Sequence, residues 1–377
     1  MSGWEGADWF AGEGRTPDPG PMTWGRPSWW AHWEAEHRAV REGVALMDMS
    51  FMAKFHVEGR DAGRVLSRLS ANHVDGEAGR ITYTQWLNEQ GTLEADLTVT
   101  KLDDARFLVV ASDTAHRHVE ARLRRAVGDA HAFVSDVTGG TAQLNVQGPH
   151  SRALLEAVTG ADLSNAAFPF RAARTLEVGF ARVLATRITY LGELGWELFI
   201  PAEQAVHVYR TLREAGERFG VRPAGLKALA SLRLEKGYRD YGHDLDNTDT
   251  PLETGLGFAV AWDKPGGFVG REALLALRDQ PRRRALVQVV LEEATPLLFH
   301  AEPVLRDGKA VGSIRSASYG FTLGAAVGLA MVDGGDTRVD ARWLADGRWE
   351  VDVSGVRHRA RTSLRPLYDP ENTRIKA

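Results

Sequence analysis

The stretch Arg80-Ile81-Thr82-Tyr83-Thr84-Gln85-Trp86-Leu87-Asn88-Glu89-Gln90-Gly91-Thr92-Leu93-Glu94-Ala95-Asp96-Leu97-Thr98-Val99-Thr100-Lys101-Leu102 holds two runs that alternate with period two. Between them lies Asn88-Glu89-Gln90-Gly91, which reads as a four-residue hairpin loop. Counting back from that loop pairs Leu87 with Thr92 and sets Tyr83 opposite Asp96. On the second strand Leu93, Ala95, Leu97 and Val99 make the apolar side, so Thr92, Glu94, Asp96 and Thr98 point the other way. A solvated outer face is the ordinary explanation of a strand carboxylate. A phenol aimed at a carboxylate also suits a binding pocket.

Outward from this hairpin the pattern is mixed. A third strand, Phe107 to Ala111, follows the Asp103-Asp104 turn. Upstream, Ser28 is placed to cap a helix running to about Leu46, with Trp30, Trp33, His37, Val40 and Val44 at helical spacing. Trp is concentrated at positions 4, 9, 24, 29, 30 and 33, where large aromatic area can anchor the N-terminal segment to the body. From about residue 140 a second α+β stretch begins. Its hairpin, Arg187 to Tyr190 and Trp196 to Ile200 around Gly192-Glu193-Leu194-Gly195, sets Tyr190 opposite Glu197. A helix from about Ala224 to Lys236 ends at Gly237, the place of a C′ glycine. Leu226, Leu229, Ala230 and Arg233 share one stripe of it, so Arg233 either snorkels or meets an anion. Asp244 to Thr250 is a loop stopped by Pro251. Beyond Arg282-Arg283-Arg284, a run that reads as a solvated linker, the β pattern dominates. There Asp307-Gly308 and Asp346-Gly347 each predict a tight hairpin in a separate antiparallel β domain.

Composition narrows the function. The 377 residues are 44% hydrophobic and 25% charged, and 46 Lys+Arg against 50 Asp+Glu give a net charge of −4. That is the balance of a globular protein too long for one core, and it argues against nucleic acid as the main partner. No leader or membrane span is seen, which makes a cytoplasmic protein the expectation. The absence of cysteine excludes disulfides, thiol nucleophiles, iron–sulfur clusters and Cys-ligated zinc. The 12 His show no zincin spacing, and no Walker, nucleophile-elbow or full dinucleotide motif occurs, so no metal site is expected.

Several spaced motifs then resemble, in order, the folate-binding T-protein (aminomethyltransferase) superfamily. They are Leu46-Met47-Asp48-Met49-Ser50, Tyr83 through Asp96, Tyr190-Leu191-Gly192-Glu193-Leu194-Gly195-Trp196-Glu197, Leu232-Arg233-Leu234-Glu235 and Thr250-Pro251-Leu252-Glu253. Ser316 through Leu323, with Tyr319 and Thr322, resembles the signature of that family's C-terminal barrel. Gly3-Trp4-Glu5, Glu235-Lys236-Gly237-Tyr238 and Gly242-His243-Asp244-Leu245 are more similar to the folate-binding half of dimethylglycine and sarcosine dehydrogenases and to stand-alone tetrahydrofolate-dependent demethylases. The same holds for Phe51 after Ser50 and for Ala95-Asp96, where the glycine-cleavage enzyme has Asp-x-Ser-His-Met and a double Asp.

The resemblance implies an α+β fold, a three-domain cloverleaf around a central folate cavity. Residues 1–282 would form two α+β subdomains, about 1–50 plus 140–282 and 51–139. Residues 283–377 would form the antiparallel β-barrel domain. It also implies a one-carbon transferase using tetrahydrofolate, with Asp96 catalytic beside the reactive pterin nitrogen and Glu197 and Arg233 on the pterin. Tyr83 and Tyr190 would line that pocket, and Trp86, Tyr238 and His243 are candidates for the donor's wall. The expected donor is a small N-, S- or O-methylated substrate yielding methyl or methylene. The alternatives are an aminomethyl group on a lipoyl carrier protein, as in the glycine-cleavage aminomethyltransferase, and a flavoprotein partner that hands over an oxidised carbon. A non-catalytic folate binder of the iron–sulfur assembly kind would carry Lys-Gly-Cys, where this chain has Lys236-Gly237-Tyr238.

Overall fold

The computed structural model describes residues 11, 13, 14, 18, 20, 21 and 23–377, so Gly3-Trp4-Glu5 and Trp9 lie outside the described residues. In chain order the strands are β1 (Ala45–Asp48), β2 (Ala53–Glu58), β3 (Arg80–Leu87), β4 (Leu93–Lys101), β5 (Arg106–Ala111), β6 (Phe133–Asp136), β7 (Thr141–Gln147), β8 (Ala173–Val178) and β9 (Ala181–Thr186). They continue with β10 (Gly195–Pro201), β11 (Arg222–Pro223), β12 (Arg284–Leu291), β13 (Pro303–Arg306), β14 (Lys309–Gly320), β15 (Ala325–Asp333), β16 (Trp349–Val353) and β17 (Val356–Ser363). Three sheets result: β11-β1-β7-β10-β9-β8, β3-β4-β5-β2-β6, and a closed barrel β12-β15-β14-β13-β16-β17. Closure leaves the barrel without a free edge. Among the described residues no helix is long and apolar enough to cross a membrane.

The β3–β4 hairpin forms where the alternation put it, and Ala95, Leu97 and Val99 enter the core. Its register differs. Asn88 Oδ1 accepts from the N–H groups of Gln90 and Thr92, drawing Thr92 into the loop, so Leu87 pairs with Leu93. A bulge then sets Trp86 opposite Ala95, Gln85 opposite Asp96 and Tyr83 opposite Thr98. Beyond the bulge the total slip is two residues, which keeps Tyr83, Asp96 and the apolar Ala95, Leu97 and Val99 on their predicted faces, whereas Leu93, before the bulge, packs with Leu87 instead.

The N-terminal helix, Trp30–Glu42, stops at Gly43 instead of reaching Leu46, and Trp29 rather than Ser28 holds the cap position. Val44 to Met47 is an unbroken apolar run, and β1 lies between β7 and β11, where such a run suits a strand covered on both faces. Trp30 meets Trp33, Tyr319 and Phe321 edge-on with ring centroids 5.6, 4.5 and 5.0 Å away, tying this helix to the barrel. The helix Leu226–Glu235 ends as predicted, with Gly237 at φ 63°.

In the barrel, Asp307-Gly308 makes the β13–β14 turn with φ 51° and 80°. Asp346-Gly347 does not make a hairpin. Asp340 accepts from Trp343 N and starts a short helix, Ala341–Ala345, that Asp346 closes. The turn between β16 and β17 is Ser354-Gly355.

Candidate functional site

A cavity of about 2710 Å³ lies where the two open sheets, the helix Leu226–Glu235 and β14 meet. Asp96 reaches it from β4. Its Oδ2 accepts from Tyr83 Oη at 2.8 Å and its Oδ1 from Gln85 Nε2 at 2.8 Å. Tyr83 therefore touches Asp96 diagonally, while the residue directly opposite, Gln85, holds the other oxygen. Burial pushes the Asp96 carboxyl up to about 6, although Gln85 and Tyr83 both donate to it. Burial also drives the Tyr83 phenol well above its ordinary range, so it stays a donor.

Glu197 enters from β10, opposite Asn145 on β7. Among the described residues its one side-chain hydrogen bond is a long one, 3.5 Å from Asn145 Nδ2, and burial pushes its carboxyl up to about 7. Tyr190 is not its cross-strand partner, since Glu197 pairs with Thr186 on β9 and residues 187–194 leave the sheet. Arg187 is 1% exposed and donates from Nη1 to Phe168 O at 2.7 Å, while its backbone stays bonded to Arg171 and Ala172 ahead of β8. Tyr190 still lines the cavity; its hydroxyl donates to Arg239 O at 2.7 Å and its ring stacks on Tyr238 at 6.0 Å.

The helical stripe Leu226, Leu229, Ala230 and Arg233 is the cavity wall rather than the core, and Leu226 is 57% exposed there. Arg233, at its end, donates from Nη1 to Asp244 and to Tyr238 O, and from Nη2 to Ser316 Oγ at 3.0 Å. Burial opposes its charge, but Asp244 and the neighbouring Tyr190 and Asp240 outweigh that and hold its guanidinium above the usual range. Asp244 is fully buried and also accepts from Asp240 N.

Of the three residues expected on the donor's wall, Tyr238 and His243 line the cavity and Trp86 does not. Trp86 is buried in the core of its sheet and donates to Ser70 Oγ at 3.0 Å. Tyr83 and Gln85 occupy one face of β3, so Trp86 must take the other. His243 is exposed and bonds to Asp240 Oδ2 at 3.1 Å, which raises its pKa. Sequence reasoning missed Gln85, Asn145, Asp244 and Arg239. Period two placed Gln85 on the Tyr83 and Asp96 face and could have found it. Arg239, whose pKa burial lowers, donates to Thr254 O and Gly237 O, contacts that only the fold brings together. Among the described residues His116, Glu120 and Asp136 bring three potential ligand atoms within 4.8 Å, with Glu120 already committed to Arg117 and Arg124.

Residues 1–264 match the model of the GCVT N-terminal domain, and residues 284–369 match that of the glycine cleavage T-protein C-terminal barrel domain. The chain is 39% identical over 376 residues to 4-methylaminobutanoate oxidase (formaldehyde-forming) of Paenarthrobacter nicotinovorans, matching 100% of this chain and 45% of that protein. It is 31% identical to a probable aminomethyltransferase of Thermococcus kodakarensis, covering 92% of each. Its fold is like that of glycine cleavage system aminomethyltransferase T from Bartonella henselae, with TM-score 0.79, 24% identity and 90% of each chain covered. The chain thus spans less than half the length of the oxidase it matches.

Proposed function

The chain belongs to the glycine cleavage T-protein family, and on that premise we propose that it moves a one-carbon unit from a small donor to tetrahydrofolate. The observation that carries this reading is the pair of half-buried carboxylates, Asp96 and Glu197, that face one cavity with few protein donors of their own. A reduced pterin offers ring N–H groups and an exocyclic amine, the donors that such an acceptor-rich floor lacks. Glu197 and Arg233 would grip that ring system, and Tyr83 and Tyr190 would flank it. The folding units behind this site would be about 1–50 plus 140–282, 51–139 and 283–377.

Tetrahydrofolate supplies a neutral ring nitrogen, a modest nucleophile that needs an electrophilic carbon. Asp96, ionised above pH 6, would stabilise the positive charge that develops as the nitrogen–carbon bond forms and would accept the proton released. Tyr83 and Gln85 fix both of its oxygens, so the carboxylate needs no reorganisation.

The name of the oxidase relative, formaldehyde-forming, favours a donor carbon at the oxidation level of formaldehyde. We therefore set methylene transfer, from an iminium made by an oxidising flavoprotein unit, ahead of methyl transfer from an N-, S- or O-methylated substrate. The likeness to a probable aminomethyltransferase along nearly its whole length keeps an aminomethyl-lipoyl donor as the second reading.

Titration of the protein with tetrahydrofolate, followed by turnover with formaldehyde, methylated donors and a lipoyl carrier in parallel, separates these readings. Saturable binding and methylene-tetrahydrofolate are expected, and Asp96→Asn should lower turnover by about 10²–10³-fold while binding persists. Full turnover in that variant would remove Asp96 from the chemistry. No saturable tetrahydrofolate binding would overturn the whole reading.

A further inference from the structure

Gln85 is fully buried, does not line the cavity, and touches the chemistry only through Asp96. Its Nε2 donates to Asp96 Oδ1 at 2.8 Å, yet its Oε1 is buried with no hydrogen-bond partner among the described residues. A buried amide oxygen left unmatched is costly. The amide thus has a free acceptor end that a half-turn would bring to Asp96 Oδ1 in place of Nε2. The group that the amide already contacts and that can gain a proton is Asp96, whose Oδ1 becomes an O–H donor when it is protonated.

We propose that Gln85 is a positioning residue that hydrogen-bonds Asp96 in both protonation states, donating from Nε2 to the carboxylate and accepting at Oε1 from the acid after its amide turns over. The turnover is a rotation of the carboxamide that exchanges Nε2 for Oε1 and needs no movement of β3. Tyr83 holds Oδ2 throughout as a donor. The device lets Asp96 take and release a proton without leaving its inner oxygen unpaired in either state, which an apolar residue or a second carboxylate at 85 could not do.

The other groups facing Asp96 are Tyr83 from β3, Tyr190 from the loop before β10, and Arg239 and Asp240 from the segment after the helix Leu226–Glu235, with His243 bonded to Asp240. Burial keeps both phenols protonated and Arg239 remains a cation, whereas His243 titrates nearby. The test must therefore isolate the Asp96 proton.

Infrared difference spectra of the full chain without added folate, taken against Asp96→Asn to assign the carboxyl band, give that midpoint directly. The inference rests on the reading of Asp96 as proton acceptor only for its kinetic consequence, so the infrared result stands even if no folate binds. Wild type should titrate near pH 6. Gln85→Met, which loses both bonds, should titrate higher by about half to one pH unit, because a bond to the charged form is the stronger of the two. The acid limb of its pH–rate profile should move by the same amount, with KM for tetrahydrofolate unchanged. An unmoved or lowered midpoint overturns the proposal. Should Gln85→Met fail to fold, the wild-type protein still decides. The side-chain N–H signals of Gln85 should follow the Asp96 midpoint in NMR spectra, the hydrogen-bonded one losing its downfield shift on the acid side. A signal that stays downfield throughout marks a fixed donor and also overturns it.

Discussion

Two regions of this molecule draw carboxylates away from bulk water, one fully and one lining a cavity, and they treat them in opposite ways. Glu235, fully buried at the end of the helix Leu226–Glu235, is saturated: Arg41 donates to Oε2 from Nη2 at 2.9 Å and Nε at 3.3 Å. The backbone N–H groups of Thr322 and Leu323 donate to Oε1 at 2.7 and 3.2 Å. Arg41 in turn donates to Leu191 O, Leu232 O and Glu193. At the cavity Asp96 has two donors, and Glu197 has one long one. The saturated carboxylate joins the N-terminal helix, the central helix and the barrel. The unsaturated pair faces the cavity, and its missing partners are what a ligand would supply.

Breaking the saturated region should have the largest effect. Arg41→Met removes the cation from a site that still buries Glu235 and Glu193, and an uncompensated buried charge costs about 3–5 kcal/mol. Chemical denaturation should show that loss, and a loss below about 1 kcal/mol would mean the network does not join the units. At the cavity the effect should be on binding instead. Arg233→Lys keeps the charge but cannot serve Asp244, Ser316 and Tyr238 O together, as the planar guanidinium does. Tetrahydrofolate affinity should fall by about tenfold with stability changed little, and titration calorimetry on the two proteins checks both. Equal affinity would remove Arg233 from the binding site.

The same contrast explains what was legible in the sequence. The alternation of residues 80–102 fixed which faces Tyr83 and Asp96 occupy, because a slip of two residues at the Asn88 loop preserves the side of the sheet. The exact partner was not legible, since the bulge depends on a local side-chain bond that periodicity does not register. Tyr190 and Glu197 do share a cavity, though not by cross-strand pairing, because β9 ends at Thr186 and residues 187–194 are not strand. Trp86 alternates with Tyr83 and Gln85 along β3, so the period that sets Asp96 on the cavity side turns Trp86 into the core. Asp244, which orients Arg233, belongs to the Gly242-His243-Asp244-Leu245 stretch at the start of a loop, and nothing local marks a loop carboxylate as buried.

The smallest effect is also the sharpest test of the difference. Glu197 has its carboxyl pushed from 4.5 up to about 7, so between those values the folded protein holds a proton that the unfolded chain has released. Stability contributed by this group therefore falls as pH rises from 4.5 through 7, and Asp96, raised in the same direction, adds to the fall. Glu197→Gln removes the charge while keeping the shape and the Asn145 contact. Its Tm should exceed wild type by roughly 2 °C at pH 8 and match it near pH 4.5, where the wild-type carboxyl is already protonated. The same variant should bind tetrahydrofolate more weakly at pH 8, so the site gives up stability for an acceptor that a ligand can use. A Tm gain that is equal at both pH values would show that packing, not charge, separates the two proteins. A Tm loss at pH 8 would place Glu197 with Glu235, among the carboxylates that hold the fold together.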